Sequence, residues 1–206
     1  MSKTLCFTGH RPSGLFGYGL DTPTQERYNA LAKELVDILH DLHQKGFSRF
    51  ITGGAQGADQ LAFWAVDFIK DYYPNDTFEN VVYVPCKGQD SRWKEYGRFG
   101  KREYYQMLEK ATEVVYISEG PYQGPWTMTR RNHAMVDASD AVLAIYGASE
   151  DWHTAKGGTA ECMRYAEKHG KPIIIFNPFT NEVKYSKNEE VSYENQRHHG
   201  NSMRRL

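Results

Sequence analysis

Short apolar runs alternate along this chain with longer segments in which apolar residues recur every three or four positions. Continuous apolar runs bounded by glycine or proline are typical of buried strands, whereas the three-to-four periodicity is typical of amphipathic helices. The pattern predicts six strands, over residues 4–8, 48–52, 81–84, 113–117, 140–146 and 171–176. It predicts helices over residues 22–45, from the turn after the second strand to about residue 73, and over residues 101–111, 126–136 and 157–169.

Strands that alternate with helices form βαβ units, which build a parallel sheet with right-handed crossovers. The predicted fold class is therefore α/β: a Rossmann-like, mostly parallel six-stranded sheet with helices on both faces. We expect one ligand-binding domain over residues 1–178 and a polar, flexible C-terminal tail over residues 179–206. Ligands in such sheets bind beyond the carboxyl ends of the strands, near the point where the strand order reverses.

A glycine-rich stretch joins the second predicted strand to the helix that follows it. Its candidate ligand-binding residues are Gly53, Gly54, Gln56, Gly57 and Asp59. Glycines let the backbone approach a ligand closely, and the free N–H groups of a helix start favour an anion such as phosphate. The spacing matches neither a GxGxxG dinucleotide fingerprint nor a P-loop. The alternative is that the glycines only turn the chain and that Asp59 only complements the helix dipole.

Two further loops follow strands at the same predicted edge of the sheet. The candidate residues in them are Gly9, His10 and Arg11 after the first strand, and Gly157, Gly158, Thr159 and Glu161 after the fifth. The first loop is positioned for a phosphate or base contact. Glu161 could accept hydrogen bonds from ribose hydroxyls or stabilise an oxocarbenium-like centre, although a carboxylate in a first helical turn is favoured by the dipole whatever the function.

The helix over residues 126–136 carries two adjacent arginines, Arg130 and Arg131, followed by Asn132. An arginine at this place could clamp a phosphate with two parallel hydrogen bonds. Adjacent helical residues point in different directions, so only one of the two can face the cleft, and we select Arg131. The alternative is a solvated, structurally neutral face.

Four motifs occur in order along the chain: Thr8-Gly9-His10-Arg11-Pro12, Gly53-Gly54-x-x-Gly57-x-Asp59, Arg131-Asn132-x-x-Met135-Val136-Asp137-x-Ser139-Asp140, and Gly157-Gly158-Thr159-x-Glu161. Together they resemble the YpsA-like family of the SLOG superfamily, over about residues 4–176. The resemblance implies a Rossmann-like domain that binds nucleotides or nucleotide-derived ligands. It suggests something like ADP-ribose as the ligand and carries no established reaction.

Two relatives within that superfamily imply different functions. The Lonely Guy phosphoribohydrolases cleave the N-glycosidic bond of a nucleoside 5′-monophosphate, and Met128-x-x-Arg131-Asn132 and Gly158-Thr159-x-Glu161 resemble their motifs, which would make Arg131 and Glu161 catalytic. This chain departs from them, with Asn132 in place of a lysine and a shorter glycine run before Thr159. The DprA-like relatives bind single-stranded DNA and share a similar glycine loop, but no basic groove is evident here.

Composition narrows the remaining choices. A net charge of −1 over 206 residues gives no overall electrostatic case for nucleic acid or an anionic membrane, which argues against both as partners. Three cysteines, no apolar leader and no apolar run of about 20 residues predict a cytoplasmic protein with reduced thiols. The sequence predicts no cofactor and no metal site, since His198-His199 lacks a third ligand at a suitable spacing. A homodimer remains open.

The leading hypothesis from the sequence is a sensor or sequestering module for a nucleotide or nucleotide-derived small molecule. Gly53, Gly54 and Gly57 would approach its phosphate, which Arg131 would pair, while Glu161 and Asp59 would contact a ribose. The second hypothesis is hydrolysis of an N-glycosidic bond by Arg131 and Glu161, and the third is binding of single-stranded DNA.

Overall fold

The computed structural model describes residues 2–186. The strands are β1 Lys3–Gly9, β2 Phe47–Thr52, β3 Glu79–Val84, β4 Glu113–Tyr116, β5 Ala141–Ile145, β6 Ile173–Phe176 and β7 Val183–Tyr185. The helices are α1 Thr22–Gln44, α2 Ala58–Lys70, α3 Lys101–Lys110, α4 Pro125–Asp137 and α5 Gly158–Lys168, with a 3₁₀ turn at Pro12–Gly14. The predicted α/β alternation is confirmed.

All seven strands form one sheet in the order β4-β3-β2-β1-β5-β6-β7, and the first six strands are parallel. The chain steps outward from β1 to β4 and then returns to the other side of β1, where Leu5 pairs with Ala141 of β5. The strand order therefore reverses between β1 and β5. In a sheet of this kind, a ligand cleft is expected at the carboxyl ends of those two strands.

The sheet has one strand more than the sequence predicted. Strand β7 runs antiparallel to β6 and pairs Val183 with Phe176, within the segment assigned to the tail. The turn before it contains Asn181, whose φ is 57° and whose N–H donates to the Asn177 carbonyl. A strand of three residues with one apolar side chain towards the core is too short to give a recognisable hydrophobic pattern. Residues 187–206 lie outside the described part of the chain, so the predicted tail stays a prediction.

Helices cover both faces of the sheet, as predicted. On one face, α1 and α2 pack against Leu5, Phe7 and Phe50, and on the other face α4 and α5 pack against Cys6 and Ile51. Neighbouring residues of a strand point to opposite faces, and this explains why β1 is apolar at every central position. Helix α3 adds a smaller cluster with Phe63 at the β3 side.

Candidate functional site

A cavity of about 780 Å³ lies at the carboxyl ends of β1 and β5, where the strand order reverses. Its walls come from the end of β1, from the loops after β1, β2 and β5, from the start of α2, and from α4, the loop before it and α5. Nine of the predicted ligand-binding residues line it: Gly9, Arg11, Asp59, Arg131, Asn132, Gly157, Gly158, Thr159 and Glu161. The structure thus brings together residues from four separate segments of the sequence.

Arg131 and Asp59 form a buried ion pair at the cavity. Their side chains are only 5% and 9% exposed, and Arg131 Nη1 lies 3.4 Å from Asp59 Oδ2. The same carboxylate oxygen accepts a hydrogen bond of 3.2 Å from the Ala55 N–H. Burial lowers the pKa of Arg131, which the nearby Asp59 carboxylate opposes. Arg131 Nε has no hydrogen-bond partner among the described residues, so the guanidinium keeps a donor to offer.

Of the two arginines on α4, the structure places the selected one at the cavity. Arg131 is buried and lines it, whereas Arg130 is exposed and does not. This follows from helical geometry, since neighbouring residues are about 100° apart around the axis. The assignment of Arg131 to a phosphate stays a prediction.

Gly53 makes room for the Arg131 side chain. A Cβ atom on Gly53 would lie 1.3 Å from Arg131 Nη1 and 2.7 Å from Asp59 Oδ2. Gly57 is required for a different reason, since its φ is +93° and a Cβ there would lie 2.7 Å from the His10 carbonyl oxygen. Gly53, Gly54 and Gly57 do not line the cavity. The cavity lining therefore does not support the prediction that these glycines approach a phosphate.

The start of α5 forms the opposite wall and is fixed to the end of β1. The Thr159 hydroxyl donates a hydrogen bond of 2.9 Å to the Gly9 carbonyl, and Asn132 Nδ2 donates one of 3.3 Å to the Gly158 carbonyl. Gly157 precedes the helix with a φ of +114°. The first N–H groups of a helix have no partner within it, and together with the dipole they favour an anion.

Glu161 lies in the first turn of α5 and is bound on one side only. Its Oε1 lies 2.6 Å from His133 Nε2. Its Oε2 is buried and has no hydrogen-bond partner within residues 2–186. A carboxylate only accepts hydrogen bonds, so Oε2 keeps an unused acceptor.

Two predicted ligand-binding residues are engaged elsewhere and do not line the cavity. His10 Nε2 accepts a hydrogen bond of 3.1 Å from the Gly147 N–H, and the ring stacks on Tyr146 with centroids 4.9 Å apart. Burial lowers the pKa of His10. Gln56 Nε2 donates to the Phe99 carbonyl at 2.8 Å, and Gln56 Oε1 accepts from Tyr18. Both side chains tie loops together in this structure.

Several lining residues outside the predicted set lie in the loop between β5 and α5 or, like Arg164, on α5 itself. Arg164 donates through Nη1 to the carbonyls of Trp152 and Ala155, at 2.6 and 2.9 Å, and so holds this loop at the cavity. Lys156 and His153 also line the wall. The position of the loop after a central strand could have indicated Lys156, and the three-residue spacing of Arg164 from Glu161 could have indicated a shared helical face.

Further lining residues outside the predicted set belong to the loop before α4 and its first turns: Tyr122, Pro125, Met128 and Thr129. Tyr122 is half exposed and gives the cavity an aromatic side chain at its rim. Aromatic rings there are available to stack on a planar base. Trp93, Tyr96 and Trp126 do not line the cavity.

Residues 2–186 contain no group of three or more His, Cys, Asp or Glu side chains that could hold a metal ion. They also contain no helix of sufficient length and apolar character to cross a membrane. His198 and His199, which the sequence predicted not to form a metal site, lie outside this range.

The fold and the cavity define a Rossmann-like α/β protein with a ligand-sized cleft at the reversal of its strand order. A family model described as the YspA SLOG family matches residues 5–181, and the chain belongs to this family. The resemblance found from the four motifs is thereby confirmed.

Named relatives support the same membership. The chain is 35% identical over 149 residues to the uncharacterized SPbeta prophage-derived protein YoqJ of Bacillus subtilis. This alignment covers 67% of this chain and 81% of that protein. It is 26% identical over 174 residues to the UPF0398 protein YpsA of the same organism, covering 84% and 91%.

Two solved structures share the fold at low sequence identity. DNA processing protein A from Helicobacter pylori, described for its single-stranded DNA binding mode, matches with a TM-score of 0.53 at 16% identity and covers 87% of this chain and 67% of that one. DprA from Streptococcus pneumoniae matches with a TM-score of 0.51 at 10% identity. This match covers 85% of the present chain and 50% of the DprA chain. At these identities the likeness shows the fold.

These neighbours overturn one prediction. The net charge of −1 argued against a nucleic-acid partner, yet the fold is shared with a protein described as binding single-stranded DNA. Net charge sums over the whole surface, whereas phosphate binding depends on where the cations are placed. The prediction that nucleic acid is an unlikely partner is therefore wrong.

Proposed function

We propose that this protein binds a nucleotide or nucleotide-derived small molecule in the cavity between β1 and β5, as a sensor or sequestering module. The observation that carries the proposal is the buried Arg131 guanidinium, whose Nε has no partner among the described residues and which lines the same cavity as the start of α5. A buried polar atom without a partner is costly, and a bound anion would satisfy it. A cytoplasmic location belongs to the same proposal, and the three buried free thiols suit a reducing compartment.

The charges of the cavity favour an anionic ligand. Four arginine and lysine side chains line it, namely Arg11, Arg131, Lys156 and Arg164, against the two carboxylates of Asp59 and Glu161. Arg131 is already paired with Asp59, and Arg164 binds loop carbonyls, which leaves Arg11 and Lys156 exposed at the wall. A phosphate at the start of α5 would meet N–H groups and the positive end of the dipole.

The Glu161 carboxylate, in the first turn of α5, suits a ribose. Glu161 Oε2 accepts and has no partner in the described structure, as a ribose hydroxyl requires. The volume of about 780 Å³ lies in the upper part of the range for ligand pockets, about 300–1,000 Å³. This supports a ligand larger than a nucleoside, and ADP-ribose is the type we propose.

The test compares two arginine variants by isothermal titration with AMP, NAD and ADP-ribose. Arg131→Met removes the buried guanidinium and should weaken binding at least about tenfold, the change expected for one charge-assisted hydrogen bond. Arg130→Met alters the exposed neighbour on the same helix and should bind as the wild type does. Wild-type protein that binds none of these compounds would refute the proposal.

A second candidate function is hydrolysis of an N-glycosidic bond, because Arg131 and Glu161 line the same cavity. It predicts free base and a ribose phosphate in the supernatant over time, and Glu161→Gln should abolish their release. Under the binding proposal the ligand keeps its mass, and Glu161→Gln only weakens its retention.

A third candidate, single-stranded DNA, is supported by the DprA fold neighbours. Binding to a phosphate backbone would fall steeply with salt, with a slope that reports the number of phosphates contacted. An oligonucleotide that binds at low salt and displaces the small ligand would place both in the same cavity. Failure to bind at low salt would remove this candidate.

A further inference from the structure

A chain of polar and aromatic side chains behind Glu161 links α4 to α5. Glu161 Oε1 lies 2.6 Å from His133 Nε2, and the His133 ring stacks on Tyr165 with centroids 3.6 Å apart and planes 9° apart. The Tyr165 hydroxyl donates a hydrogen bond of 3.0 Å to Asp137 Oδ1. His169 contacts the Tyr165 ring at 4.0 Å without touching Glu161.

This arrangement fixes the imidazole and, through it, the carboxylate. A carboxylate accepts hydrogen bonds, so His133 Nε2 carries the hydrogen and donates it. Near-parallel stacking on a ring that is itself hydrogen-bonded restricts how far the imidazole can turn. A residue held by its neighbours in this way orients the group it binds, as the partners of metal-binding histidines do.

The two oxygens of Glu161 consequently differ. The protein satisfies Oε1, whereas Oε2 is buried and without a partner in residues 2–186. Glu161 lines the cavity and His133 does not. The protein therefore satisfies one oxygen of the carboxylate and leaves the other as an unused acceptor.

We infer that His133 is a positioning residue that holds Glu161 so that Oε2 accepts a hydrogen bond from a ribose hydroxyl, which makes the cavity selective for ribonucleotides over deoxyribonucleotides. The inference rests on the proposed function and adds a specificity to it. A site built to bind a hydroxyl rejects the analogue that lacks it, because the buried acceptor is then left unpaired.

The experiment measures the ratio of affinities for ADP-ribose and for its 2′-deoxy and 3′-deoxy forms on the adenosine ribose and on the distal ribose. The wild type should discriminate against at least one deoxy form by about tenfold or more. His133→Phe keeps a planar ring for stacking on Tyr165 but cannot donate, so the ratio should approach one. His133→Gln supplies an N–H near the position of Nε2 and should restore most of the ratio.

His169→Phe is the matched control, because it changes another ring on Tyr165 and leaves the Glu161 contact intact. It should keep the wild-type ratio. Circular dichroism establishes that each variant folds, and His133→Leu replaces the phenylalanine variant if that one does not. A general loss of affinity with an unchanged ratio would show a merely structural role.

The outcomes separate the two proposals. A wild-type protein that binds ADP-ribose without discriminating any deoxy form overturns the role of His133 and leaves the proposed function standing. Discrimination that survives in both His133→Phe and His133→Leu also overturns it. Absence of any nucleotide binding overturns both proposals.

Discussion

The guanidinium of Arg131 occupies the space that a side chain at Gly53 would fill. A Cβ atom on Gly53 would lie 1.3 Å from Nη1 and 2.0 Å from Cζ of that arginine. Gly53 stands at the end of β2, and Arg131 lies in the middle of α4. The glycine is thus needed for a close side-chain approach, and its backbone angles are ones that other residues adopt.

Gly53→Ala should displace the Arg131 side chain while the sheet stays intact. The added methyl group would overlap Nη1 and Cζ, so the guanidinium has to leave its place beside Asp59. Nucleotide affinity should then fall as far as it does in Arg131→Met, measured by titration calorimetry. Gly120→Ala is the control, since a Cβ there meets its nearest neighbour at 3.7 Å. An alanine at 53 with unchanged affinity would separate Arg131 from binding.

Asp59→Asn should destabilise the protein strongly. It leaves the buried Arg131 charge without its counter-ion, and loss of one member of a buried pair costs about 3–5 kcal/mol. Urea denaturation measures the free energy of unfolding. The double variant Asp59→Leu with Arg131→Met should recover most of the loss, because no unpaired charge remains.

The matched control for that experiment is Asp67→Asn on the same helix. Asp67 pairs with Lys110, whose side chain is more than half exposed, so its loss should change stability far less. Equal effects at positions 59 and 67 would contradict the role of burial.

His10 should titrate below its ordinary pKa of 6.5, because burial lowers it. The neutral ring accepts the Gly147 N–H, and protonation at Nε2 would remove that acceptor. The folded pKa lies below the unfolded one, so the stabilisation is present above about pH 6.5 and is lost as the pH falls below it. Ring-proton NMR measures the titration. His10→Gln, which does not titrate, should reduce the fall in unfolding free energy between pH 7 and 5.

His153 provides the opposite case in the same NMR experiment. Its hydrogen bond to the Asp151 carboxylate raises its pKa above 6.5. His10, the more buried of the two rings, should therefore have the lower pKa, and the exposed His153 the higher pKa. A higher pKa for His10 than for His153 would contradict the environments described for both rings.

Cys6 should make the protein less stable at alkaline pH. Burial raises the pKa of its thiol from 9.0 to about 12. Between those values the unfolded chain loses the proton and the folded chain keeps it, so stability falls by up to about 1.4 kcal/mol per pH unit. The slope of unfolding free energy against pH should be shallower in Cys6→Ala. An identical slope in the variant would show that Cys6 ionises equally in both states.

The sequence was sufficient for the features that depend on local pattern. Apolar runs ended by glycine or proline predicted β1 to β6 to within two residues at most ends, because both the strand period and the turn residues are local. Arg131 could be selected over Arg130 from the family motif it completes, and helical geometry explains why only one reaches the cavity. Strand β7 was missed because its pairing depends on a hairpin with β6.

The partners of the site residues could not be predicted in this way. Asp59 and Arg131 are far apart in the sequence, and only the packing of α4 across the sheet brings them together. His10 has the position of a ligand contact, but its ring is turned to the Gly147 N–H by a loop whose path no local pattern encodes. Arg164 is similar, since its bonds to backbone carbonyls depend on the conformation of the loop they hold.

The central place of β1 in the sheet has a consequence for the order of folding during synthesis. β1 to β4 can pair once residue 116 has left the ribosome, whereas the register of Leu5 with Ala141 must wait for β5. The cleft needs the later segment as well, because Gly158 and Glu161 form its wall. A nascent chain carrying only the first four strands therefore lacks one wall of the cleft, and the cleft is complete only after α5 has emerged.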